Sequence, residues 1–323
     1  MSLGQAAGGD VSHQAVYYDS PEGYLRAVLP FIADGLAEAE PVLVAVPAPS
    51  AGLVRSGLDG QSARVTFLNM TELGRNPGRI ISAVWEFIGR HPDQRVRFVG
   101  EPFWPDRSAA EAREAVRHEA LINLAFAGVP VRILCPYDTG LLTPRIIASA
   151  GRTHPVIATP QGPRPSADYA GGRVPRASAR PLPRPPSRAD ALPYAAALRP
   201  VREFVADHAE RSGLCPDRAA DLVLAVAEVA ANTLRYASGA GTVHIWEAGG
   251  EIICQVTDEG RIRDPLVGRK RPPEVTGLGL WVVHQVCDLV ELRSGRSGTA
   301  IRMHMRLPAR DRGSMKPGAA ANR

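Results

Sequence analysis

Cysteine is scarce in this chain: Cys135, Cys215, Cys254 and Cys287 stand singly among 323 residues, with no CxxC pair and no histidine at metal-ligand spacing. Reduced thiols are therefore the default, and a structural zinc is not expected. No apolar run approaches the roughly 18 residues needed to cross a bilayer, so no membrane span is expected. The opening MSLGQAAGGDVSHQ lacks both a basic flank and an apolar stretch. It does not read as a secretion signal, and the expected location is the cytoplasm. A GxxxxGKS/T loop is missing as well, which disfavours one common class of phosphate site.

What is present is enough chain for more than one hydrophobic core, with an ordinary apolar fraction of 45%. Two domains follow as the expectation. The net charge of +5 gains its main excess from one stretch, PQGPRPSADYAGGRVPRASARPLPRPPSRADALPYAAALRP, between Pro160 and Pro200. Crowded with Pro, Arg, Ala and Ser, that stretch buries too little apolar surface to offset its ordering entropy. We read residues 158–195 as a flexible connector, and solvated linker charge rather than nucleic acid as the meaning of the basic balance.

Before the connector, helical patterns such as GYLRAVLPFIADGLAEAE and GRIISAVWEFIGRH alternate with short apolar runs such as PVLVAVP, RVRFVGEP and PVRILCPYD. That alternation predicts an α/β domain with a mostly parallel sheet covered on both faces. After it come two helices, VREFVADHAERSG and PDRAADLVLAVAEVAANTLRYA. Gly213 closes the first; Pro216 and Asp217 open the second. A hairpin, TVHIWEA–GG–EIICQVTD, precedes a basic loop, the helix GLGLWVVHQVCDLV and a second hairpin, ELRSG with TAIRMHMRLP. This predicts an α+β layer over residues 196–308, followed by a disordered tail over 309–323.

Within that second domain, Glu228 and Asn232 lie four apart and so share one side of a helix. Alone, the pair reads as a surface or packing contact. Asp258, at a strand end with Gly260 two residues on, has the chemistry to accept from an exocyclic amine beside a close-approaching backbone. Gly277 and Gly279 sit where a helix begins and its free N–H groups suit phosphate. Gly298 and Thr299 stand at the mouth of the last hairpin.

In this order and at these separations the four elements resemble the N, G1, G2 and G3 boxes of the GHKL (Bergerat) ATP-binding sandwich. That resemblance implies that Asn232 holds Mg²⁺ against the phosphates of ATP and that Asp258 bonds the adenine amine. Gly260, Gly277, Gly279 and Thr299 would shape the pocket and lid. Two positions depart from the pattern: Ile262 replaces the second G1 glycine, and Tyr236 stands where a histidine often follows the asparagine. The lid candidate RIRDPLVGRKRPPEV offers Arg269, Lys270 and Arg271 either to phosphate or to solvent.

No dimerising helical hairpin with a phosphoacceptor histidine precedes this domain, and His208 is the only histidine on the helix before it. The domain therefore resembles the RsbW-like anti-sigma serine kinases, which implies Glu228 as general base and a homodimer. It also implies a sigma factor and a STAS-domain anti-sigma antagonist as partners, in the manner of stress-response transcription regulators. Two alternatives stay open: an ATP-binding partner switch without kinase activity, and an orphan histidine-kinase-like ATPase.

The first domain, residues 12–157, resembles the MEDS sensory domain on HQAVYYDSPEGYLRAVLPFIADGLAEAEPVLVAVP, RNPGRI, RHEALINLAF, ILCPYD and THP. The resemblance implies a RecA/KaiC-like core in which sensing of a small-molecule signal replaces hydrolysis. Cys135, at the C-terminal end of an expected parallel strand, has Tyr137 and Asp138 beside it, with His13, His118, Glu119 and His154 elsewhere in the domain. It reads equally as part of a ligand pocket or as a buried, inert thiol.

Overall fold

A computed structural model describes residues 12–171, 180–272 and 277–308. The tail from 309, and lid residues 273–276, lie outside the described residues. Two units are built in sequence.

The first contains β1 (Ser12–Tyr18), α1 (Pro21–Ala37), β2 (Val42–Val46), α2 (Ala48–Gly57), β3 (Val65–Asn69), α3 (Met70–Leu73) and α4 (Gly78–Gly89). It continues through β4 (Val96–Gly100), α5 (Ala109–Ala125), β5 (Val131–Asp138), α6 (Pro144–Thr153), β6 (Val156–Ala158) and β7 (Arg164–Pro165). The sheet order is β3-β2-β4-β5-β1-β6-β7, parallel except for the β6–β7 pair.

The expected parallel sheet is present because its strands are apolar on both faces; all five residues of β2 are buried. Neighbouring residues serve opposite cores. Phe98 and Ile133 pack with Ile81 of α4 and Leu121 of α5, whereas Val99 and Leu134 pack with Val28 and Ile32 of α1. Local chemistry sets the helix starts. Ser20 accepts from Gly23 N ahead of Pro21, and Ser108 forms a capping box with Glu111. β1, inside the sheet, carries a mixed SHQAVYY pattern that hydrophobic periodicity alone does not single out.

The second unit comprises β8 (Asp190–Ala195), α7 (Arg199–Arg211), α8 (Pro216–Tyr236), β9 (Ala240–Ala248), β10 (Glu251–Asp258), α9 (Gly279–Val286), β11 (Leu289–Gly295) and β12 (Gly298–Arg306). Its antiparallel sheet runs β11-β12-β10-β9-β8. Val201 and Val205 of α7, Leu222, Val226 and Val229 of α8, and Val283 of α9 bury one sheet face with Val243, Val256, Ile301 and Met303. Gly249 and Gly250 turn β9 into β10 with φ of +62° and +77°, the left-handed pair that a two-residue hairpin needs.

Two expectations are revised. The helix expected through Val290 ends at Val286, because Leu289 and Val290 pair with His304 and Met303 in the sheet. The stretch read as a free connector also carries β7 and β8, and β8 completes the sheet edge against β9. Among the described residues, no helix is long and apolar enough to cross a membrane.

The other face of the second sheet is not open to water. It presents Gln255, Glu291, Arg293, Arg302 and His304, all buried. Arg293 Nε donates to the Arg180 carbonyl at 3.1 Å and Arg302 Nη2 to that of Pro183 at 2.6 Å, so the chain before β8 lies across it. Helix α5 covers it at β11. Arg113 meets Glu291 at 3.1 Å, and Glu114 accepts from Arg293 at 2.6 Å.

Candidate functional site

The polar stripe of α8 exists because the helix must bury its other sides. Leu222, Ala225, Val226, Val229 and Ala230 face the core, leaving Glu228 and Asn232 half-buried along a single remaining edge. Where α9 begins, Gly279 approaches that edge so closely that a Cβ there would sit 2.7 Å from Glu228 Oε2 and 3.6 Å from Asn232 Nδ2. No side chain caps the start of α9. Its first N–H groups are therefore available beside the Glu228 carboxylate.

Asp258, at the end of β10, is fixed from two sides: Thr233 of α8 donates to Oδ2 at 2.7 Å and Gly260 N donates to Oδ1 at 2.7 Å. Each carboxylate oxygen keeps a second lone pair for a ligand. Thr299, opposite Asp258 in the β10–β12 register, donates to the Gly260 carbonyl at 2.8 Å and meets Ser294 Oγ at 2.8 Å. Gly298 has φ +102°, and a Cβ there would lie 2.1 Å from the Asp258 carbonyl, so the hairpin closes on this strand end only with glycine.

One cavity of about 240 Å³ joins these groups. Its walls include Asn232, Asp258, Gly260, Gly277 and Thr299, with Val229, Ile262, Leu280 and Ile301 as apolar surface. Glu228 and Gly279 lie just beyond its lining. Sequence reasoning missed Thr233 and Arg261, which also line it; Thr233 is signalled only by its place one residue after Asn232. Tyr236 is largely exposed at the rim, and Ile262 lends its side chain to the wall while its N–H donates to Ser294.

Arg261, Ile262 and Val267 of the lid segment line this cavity, but its basic run Arg269–Arg271 turns away from it. Arg269 is buried and donates to Glu114 of α5 at 3.2 Å. Lys270 Nζ stands 3.6 Å above the Trp85 ring of α4, and Arg271 lies 5.2 Å over Trp281. The first unit also caps α9: Asn76 Nδ2 and Arg79 Nε both donate to the His284 carbonyl at 2.9 Å, and Arg79 Nη2 donates to that of Cys287 at 2.7 Å. Trp281 Nε1 donates to Ser82 at 2.9 Å. Lid and α9 are thus held by α4 and α5.

His13 and Cys135, named as candidate sensor ligands, do meet, at 3.5 Å, and Tyr137 lies edge-on to His154 at 5.6 Å. All are buried. None of them lines the cavity of about 350 Å³ at the C-terminal ends of β1, β4 and β5, which is walled by Tyr18, Tyr24, Glu101, Phe103, Trp104 and Asp138 among others. That edge is where α/β sheets place ligands. Burial pushes the Glu101 carboxyl up to about 7, although Tyr18 donates to it at 2.8 Å. Burial also pulls His118 down to about 3, leaving it a neutral core residue.

Comparison with known proteins finds two family models on this chain. Residues 12–155 match the family described as MEDS: MEthanogen/methylotroph, DcmR Sensory domain. Residues 193–305 match the histidine kinase-like ATPase domain. Part of the chain is similar to the structure of the RsbU and RsbW domains of Rv1364c from Mycobacterium tuberculosis, at 22% identity and a TM-score of 0.29. That match covers 36% of this chain and 32% of the other. No curated protein matches. A sensory segment joined to an ATPase-like one is the composition of a signalling regulator, and the ATPase-like segment implies nucleotide binding.

Proposed function

We propose that this chain, a MEDS segment joined to a histidine kinase-like ATPase domain, is a cytoplasmic sensor-controlled regulator whose GHKL unit binds Mg-ATP. In that state it engages a sigma factor as an anti-sigma factor, and it phosphorylates a serine of a STAS-domain antagonist. One observation carries the nucleotide half: Asn232, Asp258, Gly260, Gly277 and Thr299, from four separate segments, line one cavity. The residues fit the group. Asp258 has free lone pairs for the adenine amine, Asn232 has an amide oxygen for Mg²⁺, and the open start of α9 suits phosphate. ATP supplies the phosphoryl group when bound. Glu228 would take the proton of the attacking hydroxyl. A homodimer follows from the same reading.

Control by the sensor is supported by the grip of α4 and α5 on the lid and α9. A signal that moves α5 changes what holds Arg269. The second reading, a partner switch that binds ATP without transferring phosphate, is favoured by Ile262 at the G1 position and by the engagement of Arg269 and Lys270 away from the cavity. An orphan histidine kinase is disfavoured, since His208 is tied to Phe204 O and Asp190 Oδ2, both at 2.8 Å, against β8.

The test is equilibrium binding of a fluorescent ATP analogue with Mg²⁺, followed by label transfer to candidate STAS proteins, using wild type, Glu228→Ala and Asn232→Ala. Loss of binding in Asn232→Ala, with loss of transfer but not binding in Glu228→Ala, supports the kinase reading. Equal binding by all three overturns the site. Binding without transfer to any candidate selects the switch.

A further inference from the structure

Four side chains that the nucleotide site does not use converge inside the first unit. They are His13 of β1, Glu119 of α5, Cys135 of β5 and His154, just after α6, and their ligand atoms lie within 4.8 Å of one another. All are at most 1% exposed. His154 Nε2 is 2.9 Å and His13 Nε2 3.3 Å from the same oxygen, Glu119 Oε2, and His13 Nε2 is 3.5 Å from Cys135 Sγ.

The outer ring nitrogens are already committed. His154 Nδ1 faces the Ala150 carbonyl at 2.9 Å, a group that only accepts, so Nδ1 carries the proton. His13 Nδ1 faces Asn123 Oδ1 at 3.1 Å, and Asn123 Nδ2 donates to the Thr153 carbonyl at 2.7 Å, which fixes Oδ1 as the acceptor. With Nδ1 committed on both rings, each has only Nε2 left to turn toward the Glu119 carboxylate. Both Glu119 oxygens and His154 Nε2 lack hydrogen-bond partners despite full burial.

An imidazolium–carboxylate pair would account for one ring and leave the other ring and the thiol idle. A divalent cation accounts for all four groups. Two neutral imidazoles, one carboxylate and one thiolate cancel its charge, which removes the cost of an isolated buried carboxylate. Tetrahedral zinc bonds of about 2.0–2.3 Å place ligand atoms roughly 3.3–3.8 Å apart. The three contacts above, at 2.9, 3.3 and 3.5 Å, lie at or near the short end of that range, and no pair in the set is farther apart than 4.8 Å.

We propose that His13, Glu119, Cys135 and His154 form a closed site for one divalent d-block cation of the zinc class. As the metal–sulfur bond forms, the Cys135 thiol proton leaves to water, and no oxidation state changes. Asn123 and the Ala150 carbonyl orient the two rings from behind. The site anchors α5 five residues from Glu114, so occupancy sets the placement of the helix that holds the lid segment. Spacing along the sequence hides it, because successive ligands are 106, 16 and 19 residues apart in the chain.

The full chain is produced in zinc- or cobalt-supplemented medium, dialysed against a chelator and analysed by elemental mass spectrometry and absorption. The expected result is about one metal ion per chain. The cobalt form should show tetrahedral ligand-field bands with a thiolate charge-transfer band. Cys135→Ser should lose the charge-transfer band, while Cys215→Ser leaves content and spectrum unchanged. A folded wild type holding less than about a tenth of an equivalent, or cobalt bands untouched in Cys135→Ser, overturns the proposal. If Cys135→Ser fails to fold, loss of the band in Cys215→Ser overturns it instead.

Discussion

Glu114 and Arg269 meet at 3.2 Å across the boundary between the two units, with the carboxylate fully buried and the guanidinium only 3% exposed. The second oxygen of Glu114 holds Arg293 at 2.6 Å. One carboxylate thus compensates two buried cations on the other unit, and its removal strands both. Breaking a buried pair by deleting one partner costs about 3–5 kcal/mol. Glu114→Ala should show a loss of that order in urea unfolding, with a changed affinity for a fluorescent ATP analogue. An unaltered midpoint and unaltered affinity would mean that the seam carries no coupling.

Gly78 tests the same seam without altering a charge. A Cβ there would lie 2.0 Å from His284 Nδ1, and both residues are buried. Gly78→Ala should force α4 and α9 apart, accelerating limited proteolysis of the 158–195 stretch and lowering the unfolding midpoint. Small-to-large substitutions in packed sites typically cost about 1–3 kcal/mol. A proteolysis rate matching wild type would show that the units do not depend on this approach.

The alternation that yields the first sheet was legible in PVLVAVP and RVRFVGEP because strands buried on both faces are apolar throughout. Asn232, Asp258 and Thr299 were candidates through the resemblance of their order to the four boxes, and the structure places all three on one cavity. What stayed hidden depends on contacts between distant segments. TAIRMHMRLP alternates like a strand with one wet face, yet His304 and Arg302 are buried under α5 and the 180–183 segment. GRKRPP reads as a solvated or phosphate-facing loop, and only the positions of Glu114 and Trp85 show where Arg269 and Lys270 go. Cys287 ended a helix without a breaker because pairing with β12 outweighed helical propensity.

Asp258→Asn tests the base pocket. The change puts an amide where one oxygen now accepts from Thr233 or Gly260 and removes the negative charge facing the cavity. Loss of a charge-assisted hydrogen bond is worth about 1.5–3 kcal/mol, so calorimetric titration should show ADP affinity reduced at least about tenfold. Retained affinity would place the nucleotide elsewhere.

Glu101 makes stability fall with pH over a defined window. In the unfolded chain its carboxyl ionises near its ordinary value of 4.5; in the folded protein burial raises it to about 7. Between those values the unfolded chain releases a proton that the native state retains, so unfolding becomes easier as pH rises, and the loss is complete above 7. At 1.36 kcal/mol per unit the effect amounts to at most about 3.5 kcal/mol. Glu101→Gln keeps an acceptor for the Tyr18 hydroxyl, which now bonds Oε1 at 2.8 Å, and has no proton to lose. Urea midpoints should therefore be similar for the two proteins at pH 4.5 and higher for the variant at pH 8. A constant difference at both pH values would show that Glu101 ionises as freely in the folded protein as in the unfolded chain, and that the cavity beside it does not exclude charge.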